Sequence, residues 1–133
     1  MKTYDCLVTR VVDGDTVDAQ IGLGFGVWIH RRVRLRGIDC PECRTSDPEE
    51  KVYGLLAKQA LIDKLVETDF HVQVKCPPNN DKYGRVLGEL WQKPDVNVNQ
   101  WLVDHFHAVP YPDTDLKNSH LENRKKHEST KIT

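Results

Sequence analysis

The chain has no long apolar run. Nothing among its 133 residues approaches the roughly eighteen consecutive apolar residues of a membrane span, so no membrane partner is expected. Its first residues, Met1-Lys2-Thr3-Tyr4-Asp5, lack the apolar stretch of a secretory signal. As written it is expected in the cytoplasm, with secretion of a longer precursor left open. A basic excess is missing too: 19 Lys and Arg against 20 Asp and Glu leave a formal net charge of −1, unlike the balance of a typical nucleic-acid binder. Cysteines are few, four in all, and in a reducing compartment they are expected as thiols. There is no internal repeat and no low-complexity tract. A chain of this length can bury a core without disulfides or structural metal, so a single domain over residues 1–133 is expected, and a monomer.

What is present is patterned. Val17, Ala19 and Ile21 alternate with Asp18 and Gln20, and Phe70, Val72, Val74 and Cys76 alternate with His71, Gln73 and Lys75, as in half-buried strands. A further strand is predicted over residues 27–37, with Val33 and Leu35 on one face and Arg32, Arg34 and Arg36 on the other. The two strands before and after Gly22-Leu23-Gly24-Phe25-Gly26 read as a hairpin. Residues 4–12 and 86–91 supply the first and fifth strands. Ala57, Ala60, Leu61 and Leu65 have helical spacing and predict a helix from about Tyr53 to Val66. A second helix should hold Val98, Trp101, Leu102 and His105. A third follows Ser119, which forms a possible capping box with Glu122, and the polar stretch from about Asn123 onward is expected to fray. Three strands, a helix, two strands and then helices make an α+β domain.

Three short motifs carry chemistry. They are Asp13-Gly14-Asp15-Thr16, the run from Arg34 to Glu42, and Asp81-Lys82-Tyr83-Gly84-Arg85. Asp15 and Asp39 could hold a hard cation, Glu42 could govern a water, and Arg34 and Arg85 could clamp a phosphate and its developing charge. Taken singly each is ordinary: Asp-Gly-Asp is a common turn, and most arginines and loop glutamates are solvated. Arg34 stands five residues before Asp39 and Glu42 three after it, and the order of all three motifs is what gives them weight.

In these motifs and their spacing, from about Tyr4 to about Tyr111, the chain resembles the staphylococcal nuclease (thermonuclease) family. The resemblance implies a five-stranded Greek-key barrel of the OB type with about three helices. It implies a Ca²⁺-dependent phosphodiesterase acting on DNA and RNA, with a preference for single strands and 3′-phosphate products. It implies Asp15, Asp39 and the backbone carbonyl of Cys40 as metal ligands, Asp13 as a brace for their loop, and Glu42, Arg34 and Arg85 as catalytic residues. Lys82, Tyr83 and Tyr111 become candidate substrate-binding residues, the tyrosines by base stacking, which tolerates any base. The loop after Glu42 departs from the family: Asp47, Glu49 and Glu50 stand where the family has lysines near the nucleotide. Weaker, more salt-sensitive binding is therefore expected.

Two rival readings come from other classes. Barrels of this type also bind single strands without cutting them, which would make the chain a non-catalytic binding module. Cys40-Pro41-Glu42-Cys43 is a C-x-x-C, and with Cys6, Cys76, His105 and His107 it suggests a zinc or dithiol protein. Against the second, there is no other C-x-x-C and no βαβ pattern around it.

Overall fold

The structure is a computed structural model describing residues 1–78, 85–93, 95–112 and 116–132, with side chains through residue 128. Alternating burial builds its walls. In β1 (Lys2–Asp13), β2 (Thr16–Gly24) and β3 (Val27–Leu35), Val8, Val17, Ala19, Ile21, Val33 and Leu35 are buried while their neighbours in sequence, apart from the buried Thr16, are more exposed. These three strands form an antiparallel meander, β1 pairing Val8 with Ala19 and β2 pairing Val17 with Val33.

The first strand also closes the far side. Its N-terminal half pairs with β5 (His71–Cys76), and register shifts between Val8 and Arg10 and between Val11 and Asp13 bend the strand from one neighbour to the other. Then β6 (Val86–Gln92) pairs antiparallel with β5 and parallel with β3, Arg34 lying opposite Leu87. The result is a closed five-stranded barrel of the OB type within an α+β fold.

Helix α1 (Pro48–Val66) plugs the barrel with Ala57, Leu61 and Leu65, all fully buried. It begins five residues before the expected Tyr53. Asp47 caps it, accepting from the backbone N–H groups of Glu49 (3.0 Å) and Glu50 (3.4 Å), and Pro48 opens the first turn. The acidic cluster read as a loop is thus a helix start, where carboxylates complement the dipole. Gly54 is inside this helix, not at its beginning. A methyl there would collide with the carbonyl of Glu42, so this glycine lets the Glu42 loop lie directly on the helix.

Two further corrections concern the strands. β3 ends at Leu35, and Arg36 and Gly37 turn the chain, with Gly37 at φ 79°. Phe70 takes φ 63° and closes the turn after α1, its N–H bonding to Leu65 O at 2.9 Å, so β5 starts at His71. Three two-residue strands were not foreseen: β4 (Ile38–Asp39), β7 (Val96–Asn97) and β8 (Val109–Pro110).

Helix α2 (Val98–Asp104) is capped by Asn97 and ends one residue short of His105. Its buried Asn99 donates to Arg36 O (2.9 Å) and Gly88 O (3.2 Å) and accepts from Leu90 N (3.1 Å), tying the turn after β3 to β6. Helix α3 (Leu116–Ile132) starts before Ser119, which lies inside it and does not cap it. Beyond Asn123 the chain stays helical. Asn123 donates to Ala108 O (3.1 Å), Tyr53 Oη to Glu128 Oε1 (3.1 Å), and His127 Nε2 lies 2.8 Å from Phe106 O.

Candidate active site

The tight turn from β1 to β2 places Asp15. Gly14 permits this turn to press on α1, since a Cβ there would sit 2.8 Å from Ala57 Cβ and 3.0 Å from Cys40 Sγ. Asp15 is 8% exposed, and its carboxylate is locked by two donors: Cys40 N–H to Oδ2 at 2.9 Å and Thr16 Oγ1 to Oδ1 at 3.0 Å. The β4–β8 bridge pairs Asp39 with Val109 and brings the second acid alongside.

Between the two acids stands Arg34. Its Nη2 is 3.4 Å from Asp15 Oδ2 and 3.4 Å from Asp39 Oδ1, while Nη1 donates to the carbonyls of Leu35 (2.9 Å) and Asp15 (3.4 Å). Even so, burial pushes the Asp15 carboxyl above its usual range, with Asp39 adding to the effect. Arg34, the Cys40 amide and the Thr16 hydroxyl pull the other way. Two oxygen-donor side chains, one of them desolvated and repelled by the other, fit a hard cation. Asp15, Asp39 and the backbone of Cys40 are the groups that would hold it. The Cys40 thiol itself lies in the hydrophobic core.

Glu42 lies at the rim of a hollow of about 380 Å³. Asp39, Glu42 and Glu50 line one wall, and Lys117, His120 and Arg124 of α3 the other. Glu50 supports the loop by accepting from Glu42 N (3.3 Å) and from Thr45 Oγ1 (3.3 Å). Partial desolvation raises the Glu42 carboxyl, and the charges of Glu50, Asp13, Asp15 and Asp39 raise it further. Asp13 accepts from the Cys43 thiol at 2.6 Å and from its N–H at 3.4 Å, so it grips the loop that carries Glu42.

Arg32 and Arg34 share the outward face of β3, but Arg36 does not continue it, and the three guanidinium groups take different partners. Arg32 pairs with Asp18 at 2.9 Å, Arg34 turns into the acids, and Arg36, past the strand end, approaches Glu89 at 3.8 Å. Arg85 is half-buried immediately before β6, the strand whose Leu87 lies opposite Arg34. Tyr111 is held through its backbone, N–H to Gly37 O at 2.9 Å. Its side chain is 51% exposed and is not part of the hollow's lining. Lys82 and Tyr83 lie outside the described residues.

Residues not foreseen complete the centre. His120 Nε2 is 2.9 Å from Asp39 Oδ2, and Arg124 Nη1 is 3.6 Å from Glu49. Their spacing of four puts them on one helix face, the only signal in the sequence that they act together. The cysteines form no comparable centre. Among the described residues no group of three or more His, Cys, Asp or Glu side chains is placed to hold a metal ion, so a cation at Asp15 and Asp39 would need the Cys40 backbone as well. Burial raises the thiols of Cys6 (to about 12), Cys40, Cys43 and Cys76, which disfavours the thiolate that zinc or redox chemistry needs.

An OB barrel whose β1–β2 turn and β3–β4 edge gather two carboxylates around an arginine defines the class. Residues 32–130 match the family described as Staphylococcal nuclease homologue, and the chain belongs to that family. It is 36% identical over 112 residues to Protein ParB of Escherichia coli, covering 78% of this chain and 55% of that protein. It is 32% identical over 114 residues to Endonuclease YhcR of Bacillus subtilis (strain 168), covering 81% of this chain and 9% of that protein. With Thermonuclease of Staphylococcus intermedius it shares 34% identity over 89 residues, 64% of this chain and 47% of the relative. The chain spans about half the length of ParB and of this thermonuclease, and far less of YhcR.

Proposed function

We propose that this chain is a metal-dependent nuclease hydrolysing phosphodiester bonds in DNA and RNA, with Ca²⁺ as its ion and single strands as preferred substrate. The observation that carries the reading is Arg34 bracketed at 3.4 Å by Asp15 and Asp39, beside the hollow that contains Glu42. When bound by the two aspartates and the Cys40 carbonyl, a hard cation supplies Lewis-acid polarisation of a phosphoryl oxygen.

The protein's own groups do the rest. Substrate phosphate competes with the acids for Arg34, and with Arg85 it gains charge-assisted hydrogen bonds that strengthen as negative charge builds on its equatorial oxygens. Glu42, its basicity raised by partial desolvation and then by the surrounding carboxylates, orients the attacking water or takes its proton. In-line attack forms a bond from the water oxygen to phosphorus as the bond to the 5′ oxygen breaks; the 5′ oxygen takes up a proton from solvent and leaves as a hydroxyl, and the other product keeps a 3′-phosphate. Thr16 and the Cys40 amide keep Asp15 in one rotamer throughout.

The test is incubation of heat-denatured DNA and of RNA with Ca²⁺ or with chelator, followed by identification of the product ends. Cleavage that needs Ca²⁺ and yields 3′-phosphates is expected. Undiminished cleavage in chelator would refute the metal assignment, and tight binding without cleavage would establish a binding module.

A further inference from the structure

We propose that the outward face of β3 is a binding track for single-stranded nucleic acid that leads from Trp28 to Arg34. The inference rests on the nuclease reading above and names how that site engages a longer substrate. Strand alternation puts Trp28, His30, Arg32 and Arg34 on one face, because Val33 and Leu35 point into the barrel. At about 3.3 Å per residue the row is about 20 Å long.

Its far end is a prepared stacking surface. Trp28 lies opposite Gly22 in the β2–β3 ladder, and a Cβ on Gly22 would sit 3.2 Å from the indole, so the ring is laid over a residue with no side chain. Trp28 remains 52% exposed. A flat ring supported from below and open above suits a nucleobase, whatever its identity.

The middle of the row is cationic despite the acidic balance of the chain. Asp18, opposite Arg32, accepts from Arg32 Nε (2.9 Å) and Nη2 (3.3 Å), which orients the guanidinium while 48% of the side chain stays in solvent. Arg10 and His30 also face this one carboxylate and, with Arg32, hold it below its usual range. Asp13 also acts on Arg32, so the step is not a large positive patch; what it offers between the ring and Arg34 is the exposed edge of a guanidinium held in place by Asp18. A polyanion carrying flat bases complements an aromatic start, a basic middle and a phosphate-binding end. Barrels of this fold bind oligonucleotides across the same strands, a likeness of fold that agrees with the chemistry here. A row of about 20 Å spans about six stacked nucleotides at 3.4 Å each, within the range of about 4–16 nucleotides that such barrels cover.

The experiment is equilibrium binding of oligothymidylates of about three and about twelve nucleotides, lengths on either side of that span. It is run in chelator, with single-turnover cleavage of the same strands in Ca²⁺ alongside. Wild-type protein is expected to bind the longer strand about tenfold or more tightly than the shorter. Trp28→Ala and Arg32→Gln should each remove most of that gain, and Arg32→Gln should also reduce the slope of log affinity against log salt by about 0.7. Trp28→Phe, which keeps a stacking ring, should retain most of the gain and so separate stacking from misfolding. Equal affinity for both lengths, or a gain unchanged in Trp28→Ala and Arg32→Gln, would overturn the track. Length-dependent binding without cleavage of any strand would uphold the track and overturn the nuclease reading; cleavage without length dependence would do the reverse.

Discussion

His120 on α3 and Asp39 on β4 meet at 2.9 Å, Nε2 to Oδ2, while the other oxygen of the same carboxylate faces Arg34 at 3.4 Å. The histidine therefore fixes which oxygen of Asp39 is presented to the centre, and it latches the last helix over the hollow. Removing such an outer partner of a metal-binding carboxylate typically lowers metal affinity by about 10–100-fold. His120→Ala is expected to weaken Ca²⁺ binding by that order in a calorimetric titration, and His120→Asn, which keeps a donor, to recover part of it. Unchanged Ca²⁺ affinity in His120→Ala would show that the contact does not position Asp39.

Asp15 gives a prediction of opposite sign for stability and for binding. Its carboxyl is held above the usual range mainly by burial, so the folded state retains its proton to higher pH than the unfolded chain does. The sign follows: ionisation of Asp15 takes stability away as pH rises through the folded pKa. At neutral pH without metal, Asp15→Asn should therefore unfold at a higher denaturant concentration than wild type, since Asn can still accept from Cys40 N–H. With Ca²⁺ at a hundred times Kd, wild type should gain about 2.7 kcal/mol. The variant should gain almost none. Denaturation curves with and without Ca²⁺ measure both, and an equal gain in the two proteins would remove Asp15 from the metal site.

Glu42 separates catalysis from binding. A group that acts on the attacking water contributes chiefly in the transition state. Glu42→Gln is expected to lower single-turnover cleavage by about a hundredfold or more while leaving strand affinity within about twofold. Normal turnover in this variant would show that the water is governed elsewhere, with Glu50, whose carboxylate touches the Glu42 amide, the next candidate.

The sequence was most legible where chemistry repeats at short range. Val17, Ala19 and Ile21 announce a half-buried strand, and Arg34, Asp39 and Glu42 lie near enough in the chain for spacing to carry information. Asp47-Pro48-Glu49-Glu50 carries the marks of a helix start, an aspartate cap followed by proline, but three carboxylates in four residues suit a solvated loop equally well. β4 and β8 are too short to show a period. His120 reaches Asp39 across 81 positions of sequence, and a helix as polar as α3 does not reveal which face is covered. Asn99 was hidden similarly, since a buried amide in a short helix looks like any other polar residue until its three backbone partners are in place.

The packing of α3 also predicts how stability depends on pH. His107 follows α2, with its ring 4.9 Å from that of His127 on α3 and 6.2 Å from Trp101. Burial, and then the nearby His127 and His105, lower its pKa from 6.5 to about 4. A histidine depressed in the fold stays neutral there while the unfolded chain takes up a proton, so between pH 6.5 and about 4 the unfolded state binds more protons. Its contribution is fully present above pH 6.5 and is lost as pH falls through that window. At one pKa unit per 1.36 kcal/mol, and with solvent screening part of the effect on a ring that is only partly buried, the loss attributable to His107 should be about 1 kcal/mol by pH 5. Carboxylates protonate in the same direction, so the measurement is the difference between wild type and His107→Phe in denaturant-derived stability at pH 7.5 and at pH 5, values chosen to bracket the upper pKa. The variant should lose about 1 kcal/mol less than wild type over that interval, because an aromatic ring remains against His127 and Trp101 while the titrating group is gone. Parallel losses in the two proteins would mean that His107 titrates normally and that α3 is not held by a neutral imidazole.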